Sequence, residues 1–336
     1  MKLATLRIPS PKTRSEARDG VLLVAAKDSK RAARVPENLY PNLLSAIEDW
    51  KNAKPKLEDI ARQLEEGRWT QAIELRPANL MAPLPRTYSW LDGSAYVQHI
   101  VLVRKARGAE PPEDLYTVPL MYQGISDNLL GPEDDIPLID EADGLDLEAE
   151  VGVIVDDVPM GTKAKDAAKH VLLIVLMNDV SLRNLIPREL KAGFGFFHGK
   201  PSTAFGPFAV TPDELGTAWK EGRVHLPVES RLNGAILGRP DAGEMHFSFY
   251  DLIEHAAKTR QLSAGTIIGG GTVSNKDTSV GSACLAEKRM LEQINAGKAQ
   301  TPFLKAGDAV EIDLLKANTS ICGKIRQKVV PVVVPA

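Results

Sequence analysis

The sequence predicts an α+β, β-rich fold with a mixed sheet at its core. Three observations lead there. Apolar stretches of strand length recur in the second half of the chain, at Val151–Val155, Val171–Met177, Thr266–Ile268 and Ala309–Leu314. Few helical stretches separate them, which disfavours a doubly wound parallel sheet. Helical spacing is concentrated in residues 43–67, ahead of the proline-rich stretch Pro77–Pro85, whose fixed backbone angles suit an extended connection. A domain boundary is placed there, with a small N-terminal domain over 1–76 and a larger one over 77–336.

In chain order, residues 1–42 read as short strands and turns. Gly20–Ala26 is a strand closed by the polar turn Lys27-Asp28-Ser29-Lys30. Leu43, Leu44, Ile47 and Trp50 recur at helical spacing, as do Leu57, Ile60, Ala61 and Leu64. Pro55 divides this region into two helices, and Gly67 stops the second. Ile100–Val103, opened by His99, reads as a strand. Ser248–Lys258 reads as a helix, with Ser248 as its N-cap and Asp251 in the first turn. The strands at Thr266 and Ala309 are each entered through a glycine-containing turn.

Composition narrows the function. The 336 residues carry a net charge of −3 with 43% hydrophobic residues, which is ordinary for a globular protein and gives no bulk attraction to nucleic acid. An anionic substrate therefore needs a local cluster of cations. Cys284 and Cys322 belong to no Cys/His cluster, so a thiolate zinc site is disfavoured and both read as packing residues. The segment Met1–Arg7 has no apolar h-region, and the longest apolar run, Val171–Met177, falls far short of the ~20 residues a membrane span needs. The chain reads as cytoplasmic, with no membrane partner.

Three polar segments suggest chemistry. Glu148 and Glu150 stand two apart in Leu145-Asp146-Leu147-Glu148-Ala149-Glu150, against an apolar strand. Residues two apart on a strand share a side, and two carboxylates there repel unless something neutralises them. A hard divalent cation does so, while a solvated strand edge is the plain alternative. Asn178-Asp179 ends the apolar run 171–177 and offers a third oxygen ligand, or a turn. Asp92, beside Gly93, precedes His99 by seven residues, and such a His is either a base near a carboxylate or a structural residue.

Taken in order, these segments resemble the fumarylacetoacetase family. The resemblance rests on Asp92 and His99; on Leu145, Asp146, Glu148 and Glu150; on Asn178, Asp179, Ser181 and Arg183; on Gly199-Lys200 ahead of Phe205-Gly206-Pro207; and on Gly271-Thr272. It covers about residues 80–320, and residues 1–76 match loosely. It implies a mixed β-sandwich roll of the fumarylacetoacetase C-terminal type, preceded by a small N-terminal SH3-like domain, in a homodimer. It also implies Asp92, Glu148, Glu150 and Asp179 as ligands of a divalent metal. Four carboxylates suit magnesium or calcium, with manganese a third option.

The resemblance further implies His99 as the base, with Glu287 as its partner, and Lys200 and Arg183 as oxyanion stabilisers. Tyr122 and Thr272 would contact a small dioxo acid substrate, and Arg107 is placed at a substrate carboxylate, with Arg104 the alternative that spacing leaves open. Two departures stand out. Glu287 falls two residues later than the family's glutamate, and Ile186 stands where the family has a Gln. The activity implied is metal-dependent hydrolysis of a carbon–carbon bond, first of all fumarylacetoacetate to fumarate and acetoacetate in tyrosine breakdown. Acylpyruvate hydrolysis, or decarboxylation, hydration or isomerisation of 2-oxo acids, is the alternative within the family. A non-catalytic metal-binding protein is the alternative outside it.

Overall fold

A computed structural model describes residues 1–106, 110 and 113–332. Its largest sheet runs in the order Ile73–Glu74, Arg31–Arg34, Val21–Ala25, Lys2–Leu6, Ala209–Val210, Val171–Asn178, Ala149–Val155, Ile267–Gly269, Trp90–Gly93 and Met121–Gly124. Ala204–Phe205 also pairs with the end of Val171–Asn178. A second sheet runs Ala235–Gly238, Val228–Leu232, Ala309–Lys316, Ile325–Pro331 and Ile136–Leu138. Both sheets are mixed: Ile267–Gly269 lies parallel to Trp90–Gly93, and Ile325–Pro331 parallel to Ile136–Leu138.

The two longest apolar runs are unbroken because both faces of the large sheet are covered. Val151, Val153, Val155, Ile174 and Leu176 join a core shared with Val228, Val310, Ile312 and Leu314 of the second sheet. Ile154, Leu173, Val175 and Met177 join the opposite core, shared with Leu43, Ile47, Leu57 and Leu64 of two helices. The side chains alternate along each strand, so each face needs its own apolar set. Each fully buried Leu or Ile contributes about 1.5–3 kcal/mol relative to exposure.

Residues 1–76 do not form the separate small barrel expected of them. Among the described residues, their four strands extend the large sheet, with Lys2 opposite Val210 and Leu3 opposite Ala209. Pairing into the sheet satisfies backbone groups that a free edge would leave open. The helices Leu43–Glu48 and Trp50–Glu65 divide at Asp49, whose carboxylate accepts from Tyr40 Oη and Asn52 Nδ2 at 2.6 Å each. Pro55 lies inside the second helix instead of breaking it. Lys51 and Pro55 are both exposed, so water reaches the Lys51 carbonyl that loses its partner.

The strand expected at Ile100–Val103 is part of a helix, Val97–Ala106, packed against the helix Leu285–Ala296. Val97, Ile100 and Val101 stand at i, i+3 and i+4 and pack on the main core. That burial outweighs the strand preference of β-branched residues. Ser248 does cap the helix Phe249–Ala256, in a capping box with Asp251. Among the described residues no helix is long and apolar enough to cross a membrane.

Candidate active site

Strand register assembles the site. Ala149–Val155 and Val171–Asn178 are antiparallel, with Met177 opposite Glu150 and Asn178 opposite Ala149. The end of one run, Asp179, therefore meets the start of the other. Gly269 pairs with both Gly152 and Asp92, and Asp92 stands opposite Tyr122. Four strand ends, two on either side of Ile267–Gly269, thus deliver Asp92, Tyr122, Glu150 and Asp179 to one place. A side chain on Gly269 would overlap the Asp92 carboxylate and the Trp90 ring. Gly271, at φ +83°, donates its N–H to Asp92 Oδ1 at 3.1 Å, and a Cβ there would lie 2.5 Å from the Gly93 carbonyl.

Asp92, Glu150 and Asp179 are buried and present oxygen atoms within 4.8 Å of one another. Burial, reinforced by the neighbouring carboxylates, pushes Asp92 and Glu150 well above the ordinary carboxylate range. Asp179 accepts from Lys200 Nζ at 2.5 Å, Tyr122 Oη at 2.6 Å and Thr203 Oγ1 at 2.7 Å. Glu150 has no such help: both its carboxylate oxygens are buried without a hydrogen-bond partner. Two orphaned oxygens beside two more carboxylates fit a hard divalent cation, and the all-oxygen donor set suits magnesium, calcium or manganese.

Glu148, expected as the fourth ligand, stands outside this trio. Its carboxylate accepts from Arg183 Nη2 and Lys200 Nζ, each at 2.5 Å. Burial opposes its charge, but the two cations outweigh burial and hold Glu148 far below the usual range. Burial likewise opposes the Lys200 ammonium, and Asp179 and Glu148 more than offset it, so Lys200 stays charged far above the ordinary lysine range. Arg183 and Lys200 therefore sit with the carboxylates, as salt-bridge partners.

His99 Nδ1 lies 3.0 Å from Glu287 Oε2. The two come from the packed helices Val97–Ala106 and Leu285–Ala296, and the Glu287 side chain is 3% exposed. A carboxylate at Nδ1 selects the tautomer whose Nε2 carries a lone pair. The remaining sequence candidates divide. Tyr122 and Thr272 line the cavity described below, whereas Arg107 lies outside the described residues.

Asp146, quoted in the acidic motif without a role, is a hub. It is fully buried, accepts from Leu285 and Ala286 N–H at 2.8 Å each, and pairs with Arg183 Nε at 2.8 Å. It thus caps the helix that carries Glu287 and orients the arginine that holds Glu148. Asp146→Asn places an amide NH₂ against donors. The expected result is a stability loss of about 1–3 kcal/mol and a 10–100-fold fall in kcat/KM, read by urea unfolding and steady-state kinetics. Unchanged kinetics in a folded variant would remove Asp146 from the machinery. Thr203 was also missed, because its contact with Asp179 depends on the pairing of Ala204–Phe205 and leaves no mark in the sequence.

These groups open into a cavity of about 680 Å³. Asp92, His99, Tyr122, Glu148, Arg183 and Lys200 line its polar end, and Ile100, Leu120, Ile186, Pro187, Leu190, Phe196, Met290 and Phe303 its apolar walls. Ile186, the departure from the family's Gln, is one of those walls. Of the phenylalanines before Lys200, Phe196 lines the cavity while Phe194 and Phe197 are exposed.

Comparison with known proteins shows the family. Residues 89–330 match the family described as "Fumarylacetoacetate (FAA) hydrolase C-terminal", and residues 1–86 match "Fumarylacetoacetase N-terminal domain 2". The oxaloacetate tautomerase YisK of Bacillus subtilis (strain 168) is 27% identical over 267 residues, 77% of each chain. The 2,4-didehydro-3-deoxy-L-rhamnonate hydrolase of Sphingomonas sp. (strain SKA58) is 29% identical over 206 residues, 60% of this chain and 64% of that one. The fold matches the crystal structure of a probable 2-hydroxyhepta-2,4-diene-1,7-dioate isomerase from Mycobacterium abscessus, at TM-score 0.66 and 20% identity, covering 99% of this chain and 100% of that one. The family match spans most of the chain, and the chain belongs to the fumarylacetoacetate hydrolase family of enzymes.

Proposed function

We propose that the chain moves a proton next to the carbonyl of a small 2-oxo acid, as a metal-dependent tautomerase of the oxaloacetate class. The observation that carries this reading is a positioned base lining the same cavity as Asp92, one member of the buried carboxylate trio. Glu287 engages His99 Nδ1, so Nε2 is the basic atom at the cavity. His99 Nε2 takes the proton from the carbon beside the 2-oxo group, and the electron pair moves to the carbonyl oxygen. Lys200 and Arg183 hold positive charge beside the carboxylates and favour that developing negative charge. A divalent cation held by Asp92, Glu150 and Asp179 would supply Lewis-acid polarisation of the oxo group. The proton then returns to oxygen or carbon, which completes the interconversion. The relationship to a Bacillus subtilis oxaloacetate tautomerase supports this choice over fumarylacetoacetate hydrolysis.

Carbon–carbon hydrolysis of a dioxo acid is the second reading. The cavity favours it, because about 680 Å³ with long apolar walls exceeds what a four-carbon acid fills. In that case His99 would deprotonate water instead of carbon.

The test follows decay of enol oxaloacetate absorbance with chelator-treated protein, before and after adding magnesium. Catalysed decay that appears only with metal is expected, and His99→Ala should lower kcat by about 100–10,000-fold. Turnover of fumarylacetoacetate with fumarate release, and none of oxaloacetate, would replace the first reading by the second. Full tautomerase activity in His99→Ala would remove His99 as the base.

A further inference from the structure

We propose that Arg289 is the carboxylate-recognition residue of this cavity, selecting a 2-oxo acid that carries a second carboxylate remote from its oxo group. The proposal rests on the 2-oxo acid reading above and names the residue that would set its substrate class.

Among the described residues, three cationic side chains line the cavity: Arg183, Lys200 and Arg289. The first two are committed. Arg183 pairs with Asp146 and Glu148, and Lys200 with Glu148 and Asp179. Arg289 makes no salt bridge with any described carboxylate. The nearby Glu292 is occupied elsewhere, accepting from Gln300 N, Thr301 N and Thr301 Oγ1.

The guanidinium is nevertheless fixed in place. Arg289 Nη1 donates to the Thr301 carbonyl, and the group lies over the Phe303 ring at 4.3 Å from its centroid. A guanidinium has five N–H donors. One is used by Thr301, and the others meet no carboxylate among the described residues. Stacking on Phe303 holds the planar fork in advance, which lowers the entropy lost when it engages a ligand. A cation held ready beside two cations already paired with carboxylates is suited to an anionic group brought in by substrate.

Helix geometry connects this group to the reaction. Ala286, Arg289, Met290 and Gln293 stand at i, i+3, i+4 and i+7 on Leu285–Ala296 and form one wall of the cavity. Glu287, on the same helix, reaches His99. One rigid element therefore carries both the partner of the base and the proposed recognition group.

The test compares wild type and Arg289→Gln, both with magnesium, on oxaloacetate and on its 4-methyl ester, which lacks the second charge. Binding of oxaloacetate and of pyruvate is measured in parallel by calorimetry. Arg289→Gln is expected to raise KM for oxaloacetate about 10–100-fold with little change in kcat, and to leave the ester unaffected. Calorimetry should show a wild-type preference for the diacid that the variant loses. Equal weakening of both ligands, or a wild type that binds both alike, would overturn the proposal. If oxaloacetate binds selectively through Arg289 but is not turned over, the tautomerase reading fails and the recognition role stands. If turnover is normal and Arg289→Gln changes nothing, the reverse holds. Should Arg289→Gln fail to fold, Arg289→Lys keeps the charge without the fork: intermediate selectivity supports the role, and full wild-type selectivity overturns a bidentate one.

Discussion

Asp179→Asn should lower kcat/KM by about 100–1000-fold and sharply weaken metal binding, in a chain that still folds. Asp179 joins three parts of the site: it belongs to the carboxylate trio, accepts from Lys200 and Tyr122, and is held by Thr203. Asparagine keeps the shape and still accepts from Thr203, but it brings no charge to a cation. Lys200 keeps Glu148 as a partner, so the ammonium is not left alone. The stability cost is then about 1–3 kcal/mol, within the 5–15 kcal/mol typical of folded domains. Asp179→Ala removes all three contacts and should abolish both metal binding and activity. Calorimetric titration with magnesium reads the first effect and steady-state kinetics the second. An unchanged magnesium affinity would take Asp179 out of the ligand set.

Glu150→Gln should act in opposite directions on function and on stability. It removes a carboxylate of the proposed metal site, so activity and metal binding should fall with those of Asp179→Asn. It also removes a buried carboxylate with no partner for either oxygen, so the metal-free variant should melt above metal-free wild type. The sign follows from the raised pKa values of Asp92 and Glu150, which have burial as their first cause and neighbouring carboxylates next. In a group of this kind the native state holds its proton more tightly than the unfolded chain. The stabilising difference is present below the unfolded carboxylate range near pH 4 and is lost as pH rises toward the native pKa. Metal-free wild type should therefore lose stability as pH climbs from about 4, and Glu150→Gln should flatten that slope. Magnesium should raise the melting temperature of wild type alone. Thermal melts across pH, with and without magnesium, decide it. A metal-free variant that melts below wild type at neutral pH would mean the Glu150 oxygens are satisfied.

Much of the site was legible because its residues cluster in short motifs. Asp146, Glu148 and Glu150 fall within five residues, as do Asp179 and Arg183. The Glu287 assignment rested on resemblance with a shifted spacing, and the structure sets Glu287 against His99. Less legible was the division of labour among the carboxylates. Sequence treats Glu148 and Glu150 as equivalent, but only Glu148 meets Arg183 and Lys200, which approach from outside the strand pair. The helix at Val97–Ala106 was hidden for a related reason. Its β-branched run favours a strand in isolation, and only a partner helix and the core beneath it reverse that preference.

The sequence by itself determined where the apolar strands run, that carboxylates suited to a hard cation stand at their ends, and that His99 is near in sequence to one of them. Those features are local: alternation, residue type and motif spacing act over a few neighbours. Tertiary structure alone decided that residues 1–76 extend the large sheet, that Asp146 ties Arg183 to the helix of Glu287, and that Arg289 reaches the cavity with no partner among the described carboxylates. Each of those depends on which strand edge or helix face meets which, over separations of 37 to more than 100 residues. Burial then sets the energies, because a charge removed from water is governed by the few partners packed around it.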